Sequence, residues 1–246
     1  PTYMIHHSTY LNDRLGFLSR QMIEKIERYK ETDPDYYRWM YLGEVIGLGN
    51  HVYNMSYFKP LESLPTDDKL IGISFAMDTG HQQSATTCGA YGLTAKGKVI
   101  LLDTFYYSPA GKTIKKAPSE LSVMIHDFID KVMKTYRVPK LKMTIDSAEG
   151  ALRNQYFRDY GERWHPVAKK KNQTMIDMVI SLLAEGRFYY LDTENNRVFI
   201  EEHKMYRYDD KTINTDDPKV IKEDDHTVDG FKYFVLDNAR ELNLKA

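Results

Sequence analysis

The sequence holds a single cysteine, Cys88, so it cannot close a disulfide within the chain, and a cysteine-based zinc site is disfavoured. It also lacks any apolar run near the ~20 residues that span a bilayer, and its first residues show no signal-peptide pattern. These absences set the expectation of a reducing, cytoplasmic setting with no membrane partner. An excess of charge of one sign is missing too: 34 Lys and Arg face 35 Asp and Glu, a formal net charge of −1. Net charge therefore does not advertise a nucleic-acid binder, and any affinity for a phosphate backbone must come from how the charges are placed. The chain opens at Pro1 without an initiator methionine, which raises the expectation of an excised fragment.

What is present is unevenly distributed. Its 246 residues suffice for one domain with its own core and an additional segment. Acidic residues crowd the C-terminal third at Asp209-Asp210, Asp216-Asp217 and Glu223-Asp224-Asp225. Basic residues cluster at Lys112, Lys115 and Lys116, and again at Lys169, Lys170 and Lys171. Each cluster is either a solvated face or part of a phosphate-binding one.

Periodicity divides the chain. Ile23, Ile26 and Tyr29 repeat at helical spacing after the N-cap candidates Asn12 and Asp13, and Pro34 can open a second helix toward Leu42. Gly43, Gly47 and Gly49 and a polar stretch from Pro60 to Asp68 then read as a linker, giving a segment 1–64 and a domain 65–246. Within the latter, Leu70 to Asp78 is a strand-like apolar run. Ser84–Leu93 and Lys98–Tyr107 flank a turn and predict antiparallel strands. Leu121, Ile125, Phe128, Ile129 and Val132 share one helical face. Leu141–Asp146 is another strand. A helix from Glu149, a strand near Trp164–Ala168, a helix over Thr174–Glu185 and a last helix from Asp224 or Asp225 complete the pattern. The order predicts a mixed α/β sheet with helices on both faces.

Two aspartates end core strands. Burying a carboxylate costs on the order of several kcal/mol unless it is paired or metal-bound, so Asp78 and Asp146 each ask for a reason. If their strands are neighbours, both emerge at one sheet edge. Asp229 follows His226 by three residues on the predicted last helix, so the two share a face. Three clustered carboxylates repel one another until cations join them, and oxygen-only ligands favour Mg²⁺ or Mn²⁺. Two such ions ~4 Å apart suit phosphodiester hydrolysis. The plainer alternative makes Asp78 a turn cap, Asp146 a helix cap and Asp229 a surface residue.

Several stretches resemble one family, the phage terminase large subunits. His7-Ser8-Thr9-Tyr10-Leu11-Asn12-Asp13 looks like the exit from the motor's ATPase domain. Tyr36-Tyr37-Arg38-Trp39-Met40-Tyr41-Leu42-Gly43-Glu44 with Val52-Tyr53 looks like the family's linker. Ile73–Gly80 and Thr144–Glu149 resemble the strands bearing its first two metal-binding aspartates, here Asp78 and Asp146. Asp225–Tyr233 resembles its closing His-x-x-Asp motif, with Gly-Phe-Lys-Tyr where members often carry Ala-x-Arg-Tyr.

The resemblance implies a ribonuclease H-like nuclease that cuts double-stranded DNA during packaging in the host cytoplasm, with the small terminase subunit and the portal or procapsid as partners. It implies Asp78, Asp146 and Asp229 as ligands of Mg²⁺ or Mn²⁺, with two ions expected, and His226 as a ligand or a group that positions water or phosphate. Lys170 and Lys171 resemble a lysine-rich stretch near the family's active site, and Lys112, Lys115 and Lys116 join them as candidates for the DNA backbone. Glu149 is either a further metal ligand or, the favoured reading, an N-terminal helix residue drawn by the dipole, and His81 reads as part of a loop. Two rivals stand beside this reading. Asp78-Thr79-Gly80 with Ser84 also suits the phosphate loop of actin-like kinases, and a non-catalytic DNA-binding module would show the same charges. Ala110-Gly111-Lys112-Thr113 lacks the earlier glycine of a P-loop, Tyr106 standing in its place.

Overall fold

A computed structural model describes residues 8–13, 15–32, 37–38, 41–43, 49–80, 84–215 and 217–244. The chain divides into two compact units, Pro1–Gly49 and Asn50–Ala246. His81 and most of the second helix expected before Leu42 fall outside the described residues.

In the first unit, α1 spans Arg20–Thr32, and Ser19 starts it by accepting from the amide of Met22. Ile26 is buried, and Asp13 accepts from the amides of Phe17 and Leu18 ahead of the helix. Tyr10 reaches across to hydrogen-bond Glu27 and Tyr37.

The second unit is built on one seven-stranded mixed sheet. In chain order its strands are β1 (Lys59–Leu61), β2 (Leu70–Thr79), β3 (Thr86–Thr94), β4 (Val99–Tyr107), β5 (Lys140–Ile145), β6 (His165–Pro166) and β7 (Phe188–Leu191). Across the sheet they run β1-β7-β4-β3-β2-β5-β6. β2, β3 and β4 form an antiparallel meander, and every other pairing is parallel. The helices are α2 (Pro118–Tyr136), α3 (Ala151–Tyr160), α4 (Asn172–Ala184), α5 (Glu194–Met205) and α6 (His226–Asp237).

Alternation along the strands sorts the core into two layers, as a period of two demands. Ile73, Phe75 and Met77, with Cys88, Ala90, Ile100 and Leu102, pack against α2 and α3. Ala76, Tyr91, Val99 and Leu101 face the other way, against α4, α5 and α6. The α2 face read from sequence is buried throughout: Leu121, Ile125, Phe128, Ile129 and Val132. Pro118 opens that helix and Arg137, in the left-handed region, ends it. No helix among the described residues is long and apolar enough to cross a membrane.

Candidate active site

Parallel pairing of β2 with β5 sets Met77 opposite Ile145, so the next residues, Asp78 and Asp146, stand side by side at the carboxyl ends of two neighbouring strands. That edge is where open α/β sheets place ligands. The third carboxylate arrives on α6, which packs over β2, β3 and β5. Gly230 faces the strand ends there: a Cβ at this position would stand 3.7 Å from the backbone nitrogen of Asp78 and 3.7 Å from Thr87 Oγ1, both ordinary contact distances. Thr87 Oγ1 also donates to the carbonyl of His226, at 3.2 Å, fixing the helix start on β3.

Each carboxylate already holds a cationic or protonatable partner. Asp78 Oδ2 lies 2.9 Å from His226 Nδ1, which donates to it when the aspartate is ionised. Asp146 Oδ2 is 2.6 Å from Lys169 Nζ, and its Oδ1 accepts from the amide of Ala148. Asp229 Oδ1 is 2.6 Å from Lys232 Nζ and its Oδ2 is 3.0 Å from Lys222 Nζ. Lys222 also reaches Asp225 Oδ2 at 2.9 Å.

The electrostatics fit carboxylates close enough to act on one another. Burial pushes the Asp78 carboxyl above its usual range; the His226 hydrogen bond opposes this, and the charges of Asp229 and Asp146 add to the rise. Burial outweighs the hydrogen bond because the side chain is almost wholly removed from water. His226 is raised, first by that hydrogen bond to Asp78. Burial would raise Asp229 as well, but Lys232 and Lys222 together hold it below the ordinary carboxylate value. Tyr233 records the convergence: its hydroxyl is pushed up by burial and then by the charges of Asp229, Asp78 and Asp146, and it donates to Asp146 Oδ2 at 3.3 Å.

Among the described residues, no three His, Cys, Asp or Glu side chains stand in a geometry that grips one ion as they are. The donor chemistry nonetheless suits a hard divalent cation. All three side chains offer carboxylate oxygens, and Asp229 Oδ1 is buried with lysine charge for company but no well-aligned hydrogen bond. The edge draws positive charge, supplied here by Lys169, Lys222, Lys232 and His226.

The remaining candidates are placed as follows. Glu149 accepts from the amide of Leu152 at 2.7 Å and from Thr79 Oγ1 at 3.2 Å, tying the start of α3 to the end of β2. Lys112, Lys115 and Lys116 lie on the loop after β4, which leaves the sheet at the end where Asp78 does, since Thr86 pairs with both Thr79 and Tyr107. Lys112 sits over the Tyr107 ring and Lys116 pairs with Glu120 at 2.8 Å. Lys170 and Lys171 are exposed beside Lys169.

Sequence reasoning passed over Lys222, Lys232, Tyr233 and Glu202. Lys232 and Tyr233 carried a signal, since they follow Asp229 by three and four residues on a predicted helix. Glu202 carried none. It lies on α5 and accepts from both the amide and the hydroxyl of Thr227, each at 2.6 Å, capping α6 from outside.

Comparisons with known proteins identify the family and the fold. Residues 78–237 match the family described as terminase RNase H-like domain, and residues 1–44 match that described as phage terminase large subunit. No curated protein is significantly similar to the chain in sequence. The large terminase of a thermophilic bacteriophage superposes with a TM-score of 0.63 at 21% identity, over 91% of this chain and 53% of that one. The chain thus spans about half the length of that relative. The nuclease domain of the bacteriophage SPP1 large terminase, solved with bound Mn, gives a TM-score of 0.54 at 15% identity, covering 76% of this chain and 98% of that domain. The P22 large terminase nuclease domain gives 0.53 at 15%, covering 78% and 96%. With its mixed sheet, flanking helices and a family match over most of its length, the chain belongs to the ribonuclease H-like domain family of phage terminases.

Proposed function

We propose that this chain is a divalent-metal-dependent endonuclease that cuts double-stranded phage DNA during packaging. The reading rests on one arrangement: two carboxylates at neighbouring parallel strand ends, with a third brought over them by α6 and all three acting on Tyr233. The Mn named with the SPP1 domain supports the choice of ion.

Asp78, Asp146 and Asp229 would hold Mg²⁺ or Mn²⁺, with two ions expected. Such ions, when bound, generate a nucleophilic hydroxide and neutralise charge on the phosphate. Lys169 and Lys222, both partly exposed, are the cations such ions would displace, which frees two ammonium groups for phosphate oxygens. Lys232, buried, stays with Asp229. His226, oriented through Nδ1 by Asp78, presents Nε2 to position water or phosphate. Lys112, Lys115, Lys116, Lys170 and Lys171 supply sequence-independent contacts to the backbone. In the parent protein, the segment 1–64 would follow an ATPase domain and residues 65–246 would form the nuclease, although β1 at Lys59–Leu61 already belongs to the nuclease sheet; it would work in the host cytoplasm with the small subunit and the portal or procapsid.

The test is incubation of supercoiled plasmid with the chain and Mn²⁺ or Mg²⁺, with and without chelator, alongside an assay of phosphate release from ATP. Metal-dependent cutting without ATP hydrolysis is expected. Cutting that persists in excess chelator removes the metal mechanism, and ATP hydrolysis by the pure chain favours the kinase-like alternative.

A further inference from the structure

The sheet ends beyond β5 at the short edge strand β6, where Thr144 pairs with His165 and Ile145 with Pro166. A cleft of about 430 Å³ opens there between β6 and the first turns of α3, a volume in the range that holds a small organic ligand. Its lining includes Arg153, Asn154 and Phe157 from α3, and Arg163, Trp164 and His165 from the chain leading into β6.

The cleft is cationic and its neighbouring acids are spoken for. Glu162 holds Lys140 through both oxygens at 2.6 Å. Asp159 accepts from Ser122 and Gln155. Asp237 takes His165 Nδ1 at 3.1 Å and the hydroxyl of Thr144. Among the described residues no carboxylate pairs with Arg153 or Arg163. Two guanidinium groups at one cleft without an anion form a site for one, and their planar forks suit phosphate.

A flat apolar surface adjoins those forks. Arg163 Cζ stands 4.3 Å from the centroid of the Phe157 ring, which is 39% exposed. A guanidinium stacked on an aromatic ring is a platform on which an unstacked base can lie. Trp164 beside it is buried, and its indole Nε1 has no hydrogen-bond partner among the described residues. The cleft adjoins the strand that carries Asp146: its lining residue Pro166 pairs with Ile145, the residue just before that aspartate.

Resting on the nuclease reading, we propose that this cleft binds one nucleotide of a DNA strand beside the cutting centre, phosphate on Arg153 and Arg163 and base against the Phe157–Arg163 stack. A strand held there is locally unpaired, so the chain should prefer duplexes with a single-stranded overhang to blunt ones.

The experiment measures fluorescence anisotropy of a labelled overhang duplex and a blunt duplex in EDTA across a salt series, for the wild type, Arg153→Gln/Arg163→Gln and Phe157→Ala. The arginine pair should lower the slope of log K against log salt by roughly 0.7–0.9 per lost contact. Phe157→Ala should leave that slope intact and reduce affinity for the overhang duplex alone, by about 5- to 150-fold. Unchanged melting temperatures would separate both effects from unfolding. If both variants bind like a wild type that cuts plasmid in Mn²⁺, the nucleotide cleft is overturned and the nuclease reading stands. If Phe157→Ala weakens both duplexes equally, the base platform is overturned. A wild type that neither binds nor cuts DNA overturns both readings together.

Discussion

Lys232 and Asp229, three residues apart on α6, are joined Nζ to Oδ1 at 2.6 Å, with the lysine only 1% exposed. The same ammonium is held by Asn172 Oδ1 at 2.6 Å and by the Tyr206 hydroxyl at 3.0 Å. A buried cation with three oxygen partners is a fixed part of the site, unlike the half-exposed Lys222 on the other oxygen of Asp229.

Removing that cation leaves a buried carboxylate with one partner fewer. Lys232→Met is therefore expected to destabilise the fold by about 3 kcal/mol, the lower end of what breaking a buried pair costs, because Lys222 stays. Urea unfolding at neutral pH measures it. A loss under about 1 kcal/mol would mean that the pair barely outweighs its own desolvation.

The same lysine separates the three aspartates. Replacing any of them by asparagine is expected to abolish metal-dependent cutting, since a neutral amide binds a hard cation poorly. Sequence alone suggests that stability holds or rises in every case, through relief of like-charge repulsion. That expectation is kept for Asp78→Asn, where burial already disfavours the charge, and for Asp146→Asn, whose partner Lys169 is 36% exposed. Asp229→Asn is the exception: it strands buried Lys232 and should lower the melting temperature in chelator. Plasmid cleavage in Mn²⁺ and thermal melting in EDTA test the set, and normal cutting by any variant removes that aspartate from the centre.

Glu202 gives the pH dependence. Burial pushes its carboxyl up to about 7 from an ordinary 4.5, against the opposing hydrogen bonds from Thr227. The folded state thus prefers the protonated acid. Its contribution is fully present below pH 4.5 and is lost as pH rises through about 7. Glu202→Gln keeps an acceptor for Thr227 without the charge. Relative to this variant the wild type should lose on the order of 3 kcal/mol between pH 4.5 and pH 8. Parallel stability profiles across that range would show that the acid ionises freely in the fold.

Much of this was readable because the strands that matter announce themselves. Leu70 to Asp78 and Leu141 to Asp146 are apolar runs that stop at an acid, and the spacing of His226 and Asp229 survives any helix register. What escaped was distant or short. β7 is four residues, Phe188–Leu191, and β1 three, too brief for a period to show, though Phe-Tyr-Tyr-Leu after Gly186 has strand propensity. α5, which brings Glu202 under α6, was missed with them. The ion pairs were illegible for another reason. Lys169 meets Asp146 only because β5 and β6 are neighbours, a matter of sheet order that no local pattern encodes.

Gly230 lies in the second turn of α6, where glycine costs backbone entropy. An added methyl would meet nothing closer than 3.7 Å, an ordinary contact distance. Gly230→Ala should therefore stabilise the protein by about 0.5–1 kcal/mol. A raised urea midpoint at unchanged m-value is the expected result. A lowered midpoint would mean that α6 has to stand closer to β2 than these distances allow.

The meander of β2, β3 and β4 closes through short connections, but the carboxylate edge does not. Asp78 meets His226 across 148 residues, and Asp146 meets Tyr233 across 87. Loop closure of that length is slow, and contacts between near neighbours form ahead of it. The hairpins can therefore be in place while the last helix is still undocked, and in that interval Asp229 is apart from the sheet that carries Asp78 and Asp146. On the proposed nuclease reading, a chain leaving the ribosome lacks its third carboxylate until residue 229 has emerged and α6 has closed over the sheet. On that reading, folding itself is the safety catch that spares any DNA lying near the nascent chain.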